Sequence, residues 1–196
     1  MFYDLKNFPF LKCLVDNVEL YSNEYLALRD SSMYMKEFLD CPPERTPDET
    51  PSHLTYWALE NGLKPEQTGY DLRNGEWTAF PIYKDGFPVK WYDACSAIPK
   101  TYDKVLKIPG IYFAAYFRLA PGAGTKDHSH TQSHLVFHLL LEDLKDGVSV
   151  MRCGNEERIL AKKGDWCLFD YSVRHSSDNF AKSDRVNLAI DFRITK

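Results

Sequence analysis

Residues 125–141 read "TKDHSHTQSHLVFHLLL" and hold four of the six histidines of a 196-residue chain, at positions 128, 130, 134 and 138. From position 134 onward the stretch has the texture of a strand. Side chains two apart in a strand share a face. His134, Val136, His138 and Leu140 therefore lie on one side, and Leu135, Phe137, Leu139 and Leu141 on the other. One face is apolar and the other carries imidazoles. His128 and His130 share a face in the same way if their segment is extended.

The chain downstream of Gly110 repeats this texture. "IYFAAYFRL", "HLVFHLLL", "VSVMRC", "RILA", "WCLFDYS" and "RVNLAIDFRI" are short apolar runs, separated by "APGAG", "EDLKDG", "GNEE" and "KKGD". Short strands spaced this way predict a sandwich or barrel. Upstream, "GEWTAFPIYKDG" predicts a strand and "CSAIPKTYDKVLKIPG" a short helix. "NVELYSNEYLALRDSSMYMKEFLD" has imperfect helical spacing that ends at "CPPE", and "CPPERTPDETPSH" reads as an exposed loop. The expected architecture is mainly β with N-terminal helices. It is one domain over 1–196, helical and irregular over 1–75 and a double sheet over 76–196.

Bulk composition narrows the function. A 44% hydrophobic content over this length supports one well-buried core. The net charge is -4 and the basic residues are dispersed, which argues against nucleic acid as a partner. No run approaches the roughly 20 apolar residues of a membrane span, and "MFYDLKNFPFLKC" lacks the pattern of a signal peptide. Five widely spaced cysteines without a CxxC fit reduced thiols. The expectation is a cytoplasmic protein without a membrane partner.

Imidazole is a ligand for iron, zinc, copper and nickel. Four histidines within eleven residues, with His175 in "FDYSVRH" further on, point to a metal or active site rather than to scattered surface residues. The lack of nearby cysteine argues against structural zinc, which favours thiolates and closed four-ligand sites. An open histidine-rich site suits non-haem Fe(II), usually held by two histidines and a carboxylate. Two residues after the first histidine, where that carboxylate usually stands, this chain has His130.

With these motifs in hand, the chain resembles the aspartyl/asparaginyl β-hydroxylases, which are Fe(II)- and 2-oxoglutarate-dependent oxygenases. "FRLAPGAGTKDHSH" is similar to the strand, Pro-Gly turn and first iron-binding histidine of that family, with Pro121 seven residues before His128. "KKGDWCLFDYSVRHSSDN" resembles the segment that carries the second iron ligand, here His175. "HLVFHLLL" resembles the strand whose histidine, here His138, lies by the co-substrate. In "RVNLAIDFRI", Arg185 stands ten residues after His175, where the family places an arginine for the distal carboxylate of 2-oxoglutarate. The resemblance runs from about Trp77 to the C-terminus. It implies a double-stranded β-helix (a cupin-like jelly roll), with Fe(II), 2-oxoglutarate and O₂ as the working set. Several features depart from the family pattern: Val136 stands for an arginine and Phe117 for a serine, His130 stands where one branch has a glycine, and the loop from His128 to His138 is one residue shorter than in that branch.

The expected sites are therefore His128 and His175 for metal, with His130 as a third ligand or as a base just outside the ligand shell. Arg185 and His138 would hold the co-substrate, and His134 either joins them or is a hydrogen-bonded interior residue. Asp170 and Ser172 either orient His175 or make the turn; Asn179 is a turn residue or a substrate contact, and Arg118 is a site residue or structural. Trp77, Trp91 and Trp166 are expected in the core. The implied reaction is hydroxylation of an aspartyl or asparaginyl side chain, a free amino acid or a related small amide, so the partner is a small molecule or peptide. Two alternatives remain open: a cupin-type metal- or ligand-binding protein, and a three-histidine iron dioxygenase, both without 2-oxoglutarate turnover.

Overall fold

A computed structural model describes residues 1–29, 72–74, 77–85, 94–130 and 134–194. A 3₁₀ turn at Leu5–Asn7 leads into α1 (Pro9–Asp16) and α2 (Val18–Arg29). Proline at the first helical position costs α1 nothing, because that N–H has no intrahelical partner. Leu11 and Leu14 of α1, and Tyr21, Tyr25 and Leu28 of α2, form the buried stripes. The helix expected through residues 30–40, the "CPPERTPDETPSH" loop, His53 and Trp91 lie outside the described residues. The helix expected over 95–110 is two, α3 (Ala94–Ala97) and α4 (Pro99–Val105). Pro99 is the cause: it pushes the residue before it out of the helical region, and Ile98 sits at φ -139. Glu24 of α2 then caps α4, accepting from the amides of Lys100 (3.0 Å) and Thr101 (2.7 Å).

The described residues contain ten strands, two before α3 and eight after α4: β1 (Leu72–Asn74), β2 (Trp77–Lys84), β3 (Ile111–Leu119), β4 (Gly124–Thr125), β5 (Leu135–Leu140), β6 (Ser149–Cys153), β7 (Glu156–Leu160), β8 (Trp166–Asp170), β9 (His175–Asn179) and β10 (Arg185–Phe192). They form two five-stranded sheets, ordered β2-β3-β10-β5-β8 and β1-β4-β9-β6-β7. All pairings are antiparallel. This is the jelly-roll order of a double-stranded β-helix. β9 is a strand that the sequence pattern does not predict, because His-Ser-Ser-Asp-Asn has little intrinsic strand preference. Its register against β6, from Ser149↔Asn179 to Cys153↔His175, makes it one.

The first sheet has two different faces. Leu135, Phe137, Leu139, Val186, Leu188, Ile190 and Phe192 pack outward into a cluster with residues of α1, α2 and α4. Val136 and Leu140 point inward, into a second cluster with Met151, Cys153, Leu160, Cys167 and Phe169. The alternation in the sequence of β5 is thus the division between the helix-covered face and the interior. Trp166 packs, partly buried, against the outer cluster.

Candidate metal centre

His128 and His175 face each other across an antiparallel bridge. Each donates its main-chain N–H to the other's carbonyl, at 3.0 and 2.7 Å. Residues paired this way project side chains to the same face, and the rings stand 4.4 Å apart. The imidazoles are oriented alike. Nδ1 of His128 lies 2.8 Å from the Lys126 carbonyl, and Nδ1 of His175 lies 2.7 Å from that of Val173. A carbonyl only accepts, so both Nδ1 atoms carry hydrogen and both Nε2 lone pairs stay available to a metal.

His130 completes the group. The ligand nitrogens of His128, His130 and His175 all lie within 4.8 Å of one another. The His130 amide donates to the Tyr171 carbonyl (3.2 Å), and its ring lies flat on that of Tyr171, with centroids 3.7 Å apart and planes 8° from parallel. Its Nε2 is buried and has no hydrogen-bond partner among the described residues. An unpartnered buried polar atom costs about 1–3 kcal/mol, so a ligand for it is expected. Burial drives the pKa of His130 and His175 down to about 4 each, which leaves the neutral form that metals bind.

His128 and His175, with Tyr171, line a cavity between the sheets. Phe113, Phe117, Val136, Met151 and Phe169 give it apolar walls. His138 lines it from β5 and is held by Asn187, whose Nδ2 donates to His138 Nδ1 at 3.1 Å. Nε2 of His138 is then the protonated nitrogen, a hydrogen-bond donor. Burial lowers the pKa of His138 to about 3, with Arg185 adding to the shift, so this donor is neutral.

Arg185 lines the same cavity and is 2% exposed. Its Nη1 lies 3.3 Å from Ser149 Oγ and 3.3 Å from Met151 Sδ, and its Nε has no partner among the described residues. No carboxylate pairs with it among the described residues. Burial lowers its pKa to about 10, which still leaves it charged at neutral pH. A buried charge without a partner is expensive, and the cavity in front of it is where an anion would relieve that cost.

The remaining expected residues fall elsewhere. Asn179 is fully buried and donates through Nδ2 to the carbonyls of Leu119 (2.9 Å), Ala120 (3.2 Å) and Ser183 (2.9 Å). Asp170 Oδ1 accepts from the Ser172 amide (2.8 Å) and hydroxyl (2.6 Å), closing the turn ahead of His175. Arg118 pairs with Asp184 at 2.7 Å. His134 accepts from Arg193 Nε at 3.2 Å and packs on Tyr112, with ring centroids 4.2 Å apart. None of Arg118, His134, Asp170, Ser172 and Asn179 is among the residues lining the cavity. Sequence reasoning passed over Tyr171, the platform under His130. Its signal was position, at the end of β8 just before the His175 turn.

The fold and site define a double-stranded β-helix protein with a three-histidine group next to a cavity that a buried arginine also lines. The chain belongs to the aspartyl/asparaginyl beta-hydroxylase family, whose pattern matches residues 52–194, reaching further upstream than Trp77. The family's activity marks it as a hydroxylase-type oxygenase in general. No curated protein matches the sequence. Among solved structures, a predicted oxalate decarboxylase of Thermotoga maritima is similar at 21% identity over 43% of this chain and 69% of that one, with a TM-score of 0.37. A cupin-like protein of Thermotoga maritima is similar at 18% over 63% and 72%, TM-score 0.39. The Cupin_2 domain of an XRE family transcriptional regulator of Enterobacter cloacae is similar at 14% over 61% and 98%, TM-score 0.40. These likenesses carry no argument about function. Among the described residues, no helix is long and apolar enough to cross a membrane.

Proposed function

We propose that the protein is an Fe(II)- and 2-oxoglutarate-dependent hydroxylase, with His128 and His175 holding the iron and Arg185 and His138 receiving the co-substrate. The observation that carries this reading is Arg185: a buried guanidinium, without a carboxylate partner among the described residues, facing the same cavity as the histidine group. Its planar fork suits a terminal carboxylate held bidentately. His138 offers a neutral N–H donor in the same cavity. Phe113, Phe117 and Phe169 exclude water around it. When bound, iron and 2-oxoglutarate supply the oxidising power to place one atom of O₂ into an unactivated C–H bond, with succinate and CO₂ as co-products. The chain's own part is to fix ligand geometry, orient the co-substrate and keep the site dry. The substrate class is an aspartyl or asparaginyl side chain in a peptide, a free amino acid or a related small amide.

Val136 and Phe117 favour a second reading. Both line the cavity where the family carries an arginine and a serine, so binding without 2-oxoglutarate turnover is the competing activity. One experiment decides between them. Anaerobic protein loaded with Fe(II) is titrated with 2-oxoglutarate, then exposed to O₂, and succinate is quantified. A visible charge-transfer band followed by succinate supports the hydroxylase. Iron binding without either sinks it in favour of the second reading.

A further inference from the structure

The family's iron is expected on two histidines of this chain, and the geometry points to a third. We infer that His130 is a direct metal ligand through Nε2, and that Tyr171 is the positioning residue that holds its ring, giving a neutral three-histidine face in place of two histidines and a carboxylate. The inference rests on the iron reading above and goes beyond it in the ligand set.

Three independent features converge. The first is distance: the His130 nitrogen lies within the same 4.8 Å group as those of His128 and His175. The second is the unsatisfied atom. His128 and His175 each spend Nδ1 on a main-chain carbonyl and turn the other nitrogen to the group. His130 has its Nε2 buried with no partner among the described residues. A solvent-exposed loop histidine would show the reverse, with its nitrogens in water. The third is confinement. His130 is clamped at both its main chain and its ring by the same residue, through the 3.2 Å hydrogen bond to the Tyr171 carbonyl and the 3.7 Å stack on the phenol. The His130 ring centroid lies 5.0 Å from that of His128 and 5.6 Å from that of His175. Surrounding groups that orient a metal ligand add to affinity by restricting its rotation, and a flat ring on the ligand's face does so without taking its lone pair.

The ligand set has a chemical consequence. Imidazole ligands carry no charge, so this ligand set contributes no negative charge to a divalent ion there. The full positive charge is left to attract an anionic co-ligand, the role in which the buried Arg185 also serves. A carboxylate in the place of His130 would cancel part of that charge.

The test uses the full chain and measures binding of Fe(II) and, as a spectroscopic stand-in, Co(II), both without O₂. His130→Gly should raise the dissociation constant for each metal at least tenfold and change the visible Co(II) spectrum, reporting a lost nitrogen ligand. Tyr171→Phe keeps the stack and should stay within about twofold of the parent. Tyr171→Ala should weaken binding severalfold. In the His130→Gly background the Tyr171→Ala change should have a clearly smaller effect, what remains being its contact with the His175 ring, 5.2 Å away. Metal-free thermal melts of all variants separate metal effects from misfolding. If the parent binds Co(II) and His130→Gly binds it equally well with an unchanged spectrum, the three-histidine assignment is overturned and the two-histidine reading stands. If the parent binds neither metal, both fall together. If Tyr171→Ala weakens binding equally with and without His130, the positioning role is overturned.

Discussion

The histidine group and the buried arginine are built on opposite plans. The group brings the ligand nitrogens of three imidazoles within 4.8 Å of one another. Main-chain carbonyls hold two of the rings through Nδ1, the third lies flat on Tyr171, and burial lowers the pKa of His130 and His175. The guanidinium of Arg185 is 2% exposed, and among the described residues a serine hydroxyl and a methionine sulfur lie within its reach. A neutral ligand can idle, whereas a buried charge cannot idle cheaply. The comparison teaches that binding at the arginine should stabilise the fold as well as serve the reaction.

The largest expected effect breaks the histidine group alone. His128→Ala or His175→Ala should weaken Fe(II) binding by about 100-fold or more, since even residues that merely orient a ligand are worth 10–100-fold. Competition with a coloured chelator measures it; two single variants with parental affinity would show that the metal lies elsewhere. Next comes the arginine. Arg185→Ala should remove a charge-assisted contact worth on the order of 2–5 kcal/mol, raising the 2-oxoglutarate dissociation constant well beyond tenfold while iron affinity stays nearly level. Calorimetry giving equal 2-oxoglutarate affinities would end the assignment.

A control residue sharpens the contrast. Asn179 is fully buried and its amide nitrogen serves three carbonyls. Asn179→Ala should cost about 2–4 kcal/mol of stability by orphaning some of them, read in urea denaturation, with metal affinity per folded molecule unchanged. A stable variant with lost iron binding would move Asn179 into the site.

A further effect is in pH. His130, His138 and His175 have pKa values lowered by burial to about 4, 3 and 4, from an ordinary value of 6.5. Unfolding lets them take up protons that the fold refuses. Their stabilising contribution is therefore complete above pH 6.5 and is lost as pH falls from there through the folded values. Melts of the metal-free protein should drop between pH 6.5 and 5, with a slope approaching three protons. A flat profile over that range would mean these rings titrate freely in the folded protein.

Legibility in the sequence follows periodicity. The apolar run from Ile111 to Leu119 is β3 as it stands, and the period-two pattern of β5 and β10 places His138 and Arg185 on the inner face. β9 is invisible as a strand because its Ser-Ser-Asp-Asn run is polar and its pairing is imposed by β6. The density of histidines hints that His128, His130 and His175 meet, but their proximity depends on one long-range bridge that no local pattern encodes. His134 shares the parity of His138, yet Arg193 and Tyr112 occupy it. Alternation assigns a face, and position along the strand decides which chemistry that face meets.

The reciprocal bridge between His128 and His175 also has a kinetic side. Each of these residues shields the other's amide, so neither amide can reach solvent until the pair comes apart as a unit. Their hydrogen–deuterium exchange should share one opening rate. A metal spanning the two side chains would close the same opening from the other side. Deuterium uptake at these two amides then becomes a reporter of site occupancy that needs neither substrate nor oxygen.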